Sequence, residues 1–310
     1  MRVLLTGATG FVGSQVARAL LREGHEVWAV TRTGSDRSRL ADIELDLRVV
    51  EHDLLRERPD ALAELNPELC VHAAWYVEPG RYLSSPVNVD FVAASARLAH
   101  ALGTAGCRRF VGLGTCYEYD TDLGRLAEDA ATRPRHLYSA SKLSLHLLLE
   151  QIAPLAGLEV AWARLFYLYG PHEDERRLVP SVARSLVRGE RVEVTPGEQV
   201  RDFLHVADVG GAIAAIARSS TLGPINVCSG EPVTVREIVE TLGRAAGRPD
   251  LIAVGARPYA PDDPMVVVGD NRRLREETGW TPTIELAAGL ERTWDWWKSS
   301  APARSMLEAR

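Results

Sequence analysis

Val3-Leu4-Leu5-Thr6-Gly7-Ala8-Thr9-Gly10-Phe11-Val12-Gly13 opens the chain with an apolar run, three evenly spaced glycines and the start of an amphipathic segment. Val3 to Thr6 reads as a short buried strand. Val12, Val16, Ala19 and Leu20 share one helical face, and Gly24 supplies a helix stop. Strand, glycine turn and helix in that order make a phosphate site, because the helix N-terminus presents free N–H groups and a positive dipole end. Gly7 permits the tight turn, Gly10 lets backbone approach a pyrophosphate, and Gly13 lets helix and strand pack closely. Thr9, Phe11 and Val12 lie between these glycines and are expected to contact the same ligand. The spacing G-x-x-G-x-x-G is one residue longer than the usual dinucleotide fingerprint.

The pattern repeats downstream. Glu26 to Thr31 reads as a second strand, Leu47 to Val50 as a third, Leu69 to His72 as a fourth, Phe110 to Leu113 as a fifth and Glu159 to Ala163 as a sixth. A helix is expected from Val87 through Ala105, and another around Tyr138. Alternating strands and helices with short loops predict an α/β fold with a doubly wound parallel sheet, whose ligands bind at the carboxyl ends of the strands. An acid at the tip of the second strand would accept bonds from a ribose 2′-hydroxyl; this chain has Arg32 there, with Arg37 behind it, which favours a 2′-phosphate and hence NADP(H) over NAD(H). Asp53, followed by Leu54, is expected near the adenine, and the small Ala73 and Ala74, followed by Trp75, near a flat cofactor. His72 is expected to be a hydrogen-bonded structural histidine.

The fifth strand delivers Thr115 to that carboxyl edge, and the helix after it carries Tyr138 and Lys142 four residues apart on one face. An ammonium near a phenol favours its ionised form, so the pair is expected to work as a proton carrier with a lowered tyrosine pKa. The chain has 310 residues, a net charge of -6 and no block of like charges, which argues against a nucleic-acid footprint. Four cysteines without C-x-x-C spacing fit a reduced compartment and no metal site, and no apolar run reaches membrane-spanning length. A cytoplasmic location away from membranes is expected.

Thr6 to Gly13, Asp53, Asn88-Val89, Thr115, Tyr138 with Lys142, Arg164 to Pro171, Arg201-Asp202-Phe203-Leu204-His205-Val206-Ala207-Asp208-Val209, Arg257-Pro258 and Gly279-Trp280-Thr281-Pro282 together resemble the extended short-chain dehydrogenase/reductases acting on nucleotide sugars. The resemblance covers essentially the whole chain. It implies a Rossmann-type cofactor domain over residues 1–165 and a smaller C-terminal α/β lobe over 166–310, parts of which return to the first. A nucleoside diphosphate sugar would lie in the cleft between them. It further implies Tyr138 as acid/base, Lys142 on the nicotinamide ribose, Thr115 on the reacting sugar oxygen, Asn88 near the phosphates, Arg201 and Arg257 on the diphosphate, and Arg177 with Leu178 at the nucleotide.

The departures from that pattern narrow the chemistry. The 4,6-dehydratases of the resembling family carry an acidic pair after the threonine; here Cys116 and Tyr117 stand there, and neither replaces a carboxyl group. Glu118, one residue further on, should point elsewhere. Tyr167 stands where many relatives have Asn, so the sugar-diphosphate pose is expected to differ. These features favour an NADPH-dependent 4-ketoreductase for a 4-keto-6-deoxyhexose nucleotide, with a 4-epimerase as the alternative; a decarboxylase and a non-catalytic NAD(P) sensor fit less well. Apolar Leu143, Leu145, Leu147, Leu148, Leu149 and Ile152 exceed one core contact, so a homodimer through this helix and the Val87–Ala105 helix is expected.

Overall fold

The computed structural model describes residues 1–261 and 263–308, so the last two residues of the expected C-terminal lobe lie outside it. Its strands are β1 (Arg2–Thr6), β2 (Glu26–Thr31), β3 (Arg48–Glu51), β4 (Leu69–His72), β5 (Arg109–Thr115), β6 (Arg125–Leu126), β7 (Glu159–Leu165), β8 (Tyr167–Tyr169), β9 (Val192–Glu193), β10 (Val200–His205), β11 (Gly223–Val227), β12 (Pro232–Thr234), β13 (Ile252–Ala253) and β14 (Val266–Gly269). Its helices are α1 (Phe11–Arg22), α2 (Asp60–Ala63), α3 (Val87–Thr104), α4 (Leu137–Ala156), α5 (Leu178–Val187), α6 (Val206–Arg218), α7 (Val235–Ala245), α8 (Arg272–Thr278) and α9 (Leu286–Glu308).

The central sheet has seven parallel strands in the order β11-β7-β5-β4-β1-β2-β3. Chain direction across the sheet reverses between β1 and β4, and a crevice opens there at the carboxyl ends. Both faces of the sheet are covered, which explains why its strands read as unbroken apolar runs rather than alternating ones. On one side Val16, Ala17 and Leu20 of α1 and Val209, Ile213 and Ile216 of α6 pack on Val3, Leu5, Val27, Val71 and Val111. On the other, Leu98 and Leu102 of α3 and Leu145 and Leu149 of α4 pack on Leu4, Cys70, Phe110 and Trp162.

After β8 the chain builds a second core from α5, α7 and α9, centred on Val182, Ile238, Leu242, Leu290 and Trp297. Two excursions tie this lobe back to the main sheet: α6 packs beside α1, and β11 adds the strand next to β7. Two buried aspartates in the β10–α6 segment hold the lobe together. Asp202 accepts hydrogen bonds from Ser229, from the Gly230 N–H at 2.9 Å and from the Gly269 N–H at 3.2 Å. Asp208 accepts them from Thr283 and from the Ile284 N–H at 2.9 Å.

Candidate active site

The carboxyl ends of β1, β2, β4, β5 and β7 open onto one cleft of about 1190 Å³, closed on its far side by α5, β10 and the segment around Arg257. Nearly all the residues singled out from the sequence line it: Gly7, Thr9, Gly10, Phe11, Val12, Gly13, Arg32, Asp53, Leu54, Ala73, Ala74 and Trp75 at one end. Thr115, Cys116, Tyr138, Lys142, Tyr167, Arg177, Leu178, Arg201 and Arg257 line the rest. Two do not reach it. Arg37 turns back to Glu51 at 3.0 Å and Glu44 at 3.5 Å, because two carboxylates compete for it on its own side of the loop. Asn88 is fully buried and works within the protein: it accepts from Trp75 Nε1 at 2.8 Å and donates to the carbonyls of Tyr82 and Ser85.

The first end of the cleft fits a dinucleotide. Gly7 has φ +69°, and a Cβ there would lie 2.6 Å from the Ala74 nitrogen. A Cβ on Gly13 would lie 2.1 Å from the Gly7 carbonyl oxygen, so the helix start can approach the strand only as glycine. The space this leaves over the N-terminus of α1 is lined by backbone, as a pyrophosphate requires. At the β2 and β3 tips two buried polar atoms of cleft-lining residues, Thr31 Oγ1 and His52 Nε2, have no partner within the protein. A polar ligand would satisfy them. Arg39 joins Arg32 on this wall, with its Nε and Nη2 on the His172 carbonyl at 3.1 and 2.9 Å and its Nη1 on the Thr9 carbonyl at 3.4 Å.

At the centre the Thr115 hydroxyl stands beside the Tyr138 phenol, both lining the cleft. The ring of Tyr82 packs edge-on to Tyr138 with centroids 4.9 Å apart. Lys142 departs from the sequence expectation. Its Nζ donates to the Leu113 carbonyl at 2.7 Å and lies 3.7 Å from the centroid of the Trp75 ring, so burial, not the ammonium, dominates the phenol. Burial pushes the Tyr138 phenol above its ordinary range and Lys142 down to about 7. Tyr138 is therefore a protonated acid here. His72 is structural as expected, held between Thr6 Oγ1 and Ser95 Oγ at 2.8 Å each.

Beneath Thr115 lies Glu118, with no solvent exposure. Its carboxylate accepts from the Thr115 N–H at 2.8 Å, from Trp162 Nε1 at 3.1 Å and from Arg164 Nε at 2.8 Å. Burial pushes this carboxyl up, opposed by the Arg164 charge and the Thr115 N–H. As expected, Glu118 points away from the cleft, and it fixes the backbone that presents Thr115. The two residues between them stay neutral: burial raises the Cys116 thiol to about 12 and raises the Tyr117 phenol. Tyr117 donates to the Tyr167 hydroxyl at 3.4 Å, and the Arg201 guanidinium lies 5.3 Å from the Tyr167 ring centroid. Arg201 is anchored on Asp263 at 2.6 Å, whereas Arg257 stands exposed at the rim near Glu193.

Lining residues that the sequence reading did not assign to the site include Arg39, Tyr82, Glu173 and Phe203. Tyr82 and Glu173 sit in loops without periodicity, so only the three-dimensional contacts reveal them. Phe203 falls inside the quoted Arg201–Val209 stretch, where alternation along a strand starting at Arg201 gave the available signal.

Residues 3–228 match the model of the NAD dependent epimerase/dehydratase family. The chain is 27% identical to a UDP-glucose 4-epimerase of Corynebacterium glutamicum, over 95% of each chain. It is 28% identical to a GDP-6-deoxy-D-mannose reductase of Pseudomonas aeruginosa, over 96% of this chain and 97% of that one. Among solved structures, MoeE5 in complex with UDP-glucuronic acid and NAD superposes with a TM-score of 0.82 at 30% identity, over 97% of this chain and 100% of that one. With the glycine cradle, the Thr115, Tyr138 and Lys142 group and these matches in agreement, the chain belongs to the NAD dependent epimerase/dehydratase family, the NAD(P)-dependent nucleotide-sugar enzymes of the extended short-chain dehydrogenase/reductases.

Proposed function

We propose that the protein reduces a nucleoside diphosphate 4-keto-6-deoxyhexose with NADPH. The observation that carries this reading is the group around Thr115: the buried, protonated phenol of Tyr138 beside it, and no carboxyl group at Cys116 or Tyr117. Such a site can polarise a carbonyl and give it one proton, but the loop after Thr115 carries no carboxyl pair to remove water. The substrate should thus arrive already oxidised and dehydrated. The relationship to a GDP-6-deoxy-D-mannose reductase supports the same reading.

Gly7 to Gly13 would hold the cofactor pyrophosphate, Arg32 its 2′-phosphate, Asp53 and Leu54 the adenine end, and Ala73 to Trp75 with Lys142 the nicotinamide riboside. When bound, the nicotinamide supplies a hydride to the sugar carbon. Thr115 and Tyr138 hydrogen-bond the sugar carbonyl oxygen, and the Tyr138 O–H passes its proton to that oxygen as the alcohol forms. The phenolate left on Tyr138, a residue of the cleft wall, regains its proton from solvent before the next turnover. Arg201 and Arg257 would grip the diphosphate, with Arg177, Leu178, Cys116 and Tyr167 around nucleotide and sugar. On this reading residues 1–165 chiefly hold the cofactor and residues 166–310 chiefly hold the sugar nucleotide. A second copy of the chain would pair through α3 and α4, where Leu147 and Leu148 are half-exposed.

The several UDP-glucose 4-epimerases among the relatives favour a second reading, in which NAD stays bound and the hydride returns to the opposite face. One experiment separates the two. A reductase oxidises added NADPH stoichiometrically with a 4-keto-6-deoxyhexose nucleotide, and Tyr138→Phe lowers kcat by about 10²–10⁴-fold while NADPH binding holds. Interconversion of a fully hydroxylated sugar nucleotide without added cofactor, and indifference to 4-keto sugars, would overturn the reductase reading.

A further inference from the structure

Glu173 lines the cleft from the loop between β8 and α5, and its Oε2 is buried with no hydrogen-bond partner in the protein. That loop is fixed on both sides. The His172 backbone sits at φ +67°, its carbonyl is gripped by Arg39, and its ring packs 4.4 Å from that of Trp296. Beside Glu173, the Arg177 guanidinium lies 5.1 Å from the Tyr82 ring centroid, and Tyr82 packs on Tyr138. Glu173 thus belongs to the wall that leads to the reacting centre. Burial raises its carboxyl to about 8 despite the nearby Arg177 charge.

A buried carboxyl oxygen without a partner costs free energy that a bound donor would recover. For that oxygen to act as an acceptor its partner must bring a donor, and an ionised diphosphate brings none. A sugar hydroxyl does. Resting on the nucleotide-sugar reading above, we propose that Glu173 is a specificity-determining residue: its free oxygen accepts a hydrogen bond from a hydroxyl group of the sugar ring, so the cleft distinguishes a sugar nucleotide from the bare nucleotide.

The test is calorimetric titration of the intact chain with UDP-glucose, GDP-mannose and dTDP-glucose, each beside its own nucleoside diphosphate, with wild type, Glu173→Gln and Glu173→Leu. Glutamine keeps an acceptor and should retain the wild-type affinity for the sugar nucleotide within about threefold. Leucine should weaken the sugar nucleotide about tenfold, as one hydrogen bond would, and leave the bare diphosphate within about twofold. If the leucine variant does not fold, Glu173→Ala is read by the same criteria. Equal affinity of the acceptor-free variant and wild type for the sugar nucleotides overturns the proposal. So does a parallel loss for sugar nucleotide and diphosphate, or a wild type that holds none of the three above its bare diphosphate. Because no turnover is involved, failure of the reductase reading leaves this result standing.

Discussion

Replacing Glu118 by alanine should unfold the floor of the active site before it touches any ligand. Three donors converge on that carboxylate: the Thr115 N–H, Trp162 Nε1 and Arg164 Nε. Arg164 is only 3% exposed, so the substitution leaves a buried cation without its counter-charge. Breaking a buried pair in this way costs about 3–5 kcal/mol, and the two orphaned N–H groups add to it only in part, since water can enter the space left behind. Against a total stability of about 5–15 kcal/mol, the loss is a large fraction. Urea unfolding followed by tryptophan fluorescence should show a lower midpoint with an unchanged slope. Glu118→Gln keeps one oxygen to accept from the Thr115 and Trp162 N–H groups but loses the charge and turns an amide N–H toward Arg164, so it should fall between wild type and alanine. A loss below about 1 kcal/mol for the alanine variant would refute the account of Glu118 as the group that carries Thr115.

Arg32→Asp should weaken NADPH about 10- to 100-fold and change NADH far less, because only NADPH places a phosphate at the strand tip; titration of nicotinamide fluorescence measures both, and equal losses would show that Arg32 does not read the phosphate. Glu173→Gln should stabilise the ligand-free protein more at pH 8 than at pH 5. The carboxyl titrates near 4.5 when unfolded and near 8 when folded, so its cost is absent below the first value and grows toward the second. Melting curves at the two pH values read the difference, and a pH-independent shift would count against it. Leu147→Glu with Leu148→Glu should split a dimer into monomers in sedimentation at micromolar concentration, whereas a wild-type monomer would remove the assembly proposal.

The sequence exposed the parts of this site that local rules control. Gly7, Gly10 and Gly13 stand where a strand turns into a helix, and the close approach of backbone demands glycine at the first and the last of them. Tyr138 and Lys142 follow from helical spacing, although spacing could not say that Lys142 reaches the Leu113 carbonyl and the Trp75 ring. Contacts between distant segments decided the remainder. Arg37 and Arg39 stand two residues apart in one loop, yet Glu44 and Glu51 draw the first away while the His172 carbonyl draws the second to the cleft. Asn88 carries a motif position but spends its amide on the Tyr82 and Ser85 carbonyls, holding the very loop that brings Tyr82 to the phenol. No periodicity encodes such long-range choices.

The guanidinium of Arg39 touches the carbonyls of both Thr9, in the glycine turn, and His172, beside Glu173. One side chain therefore spans the glycine turn and the loop that carries Glu173. A cofactor settling over Thr9 would press on the same group that sets the Glu173 loop, which couples the two loading events. On the reading proposed above, cofactor and sugar nucleotide would then not bind independently, each changing the other's affinity by the same factor.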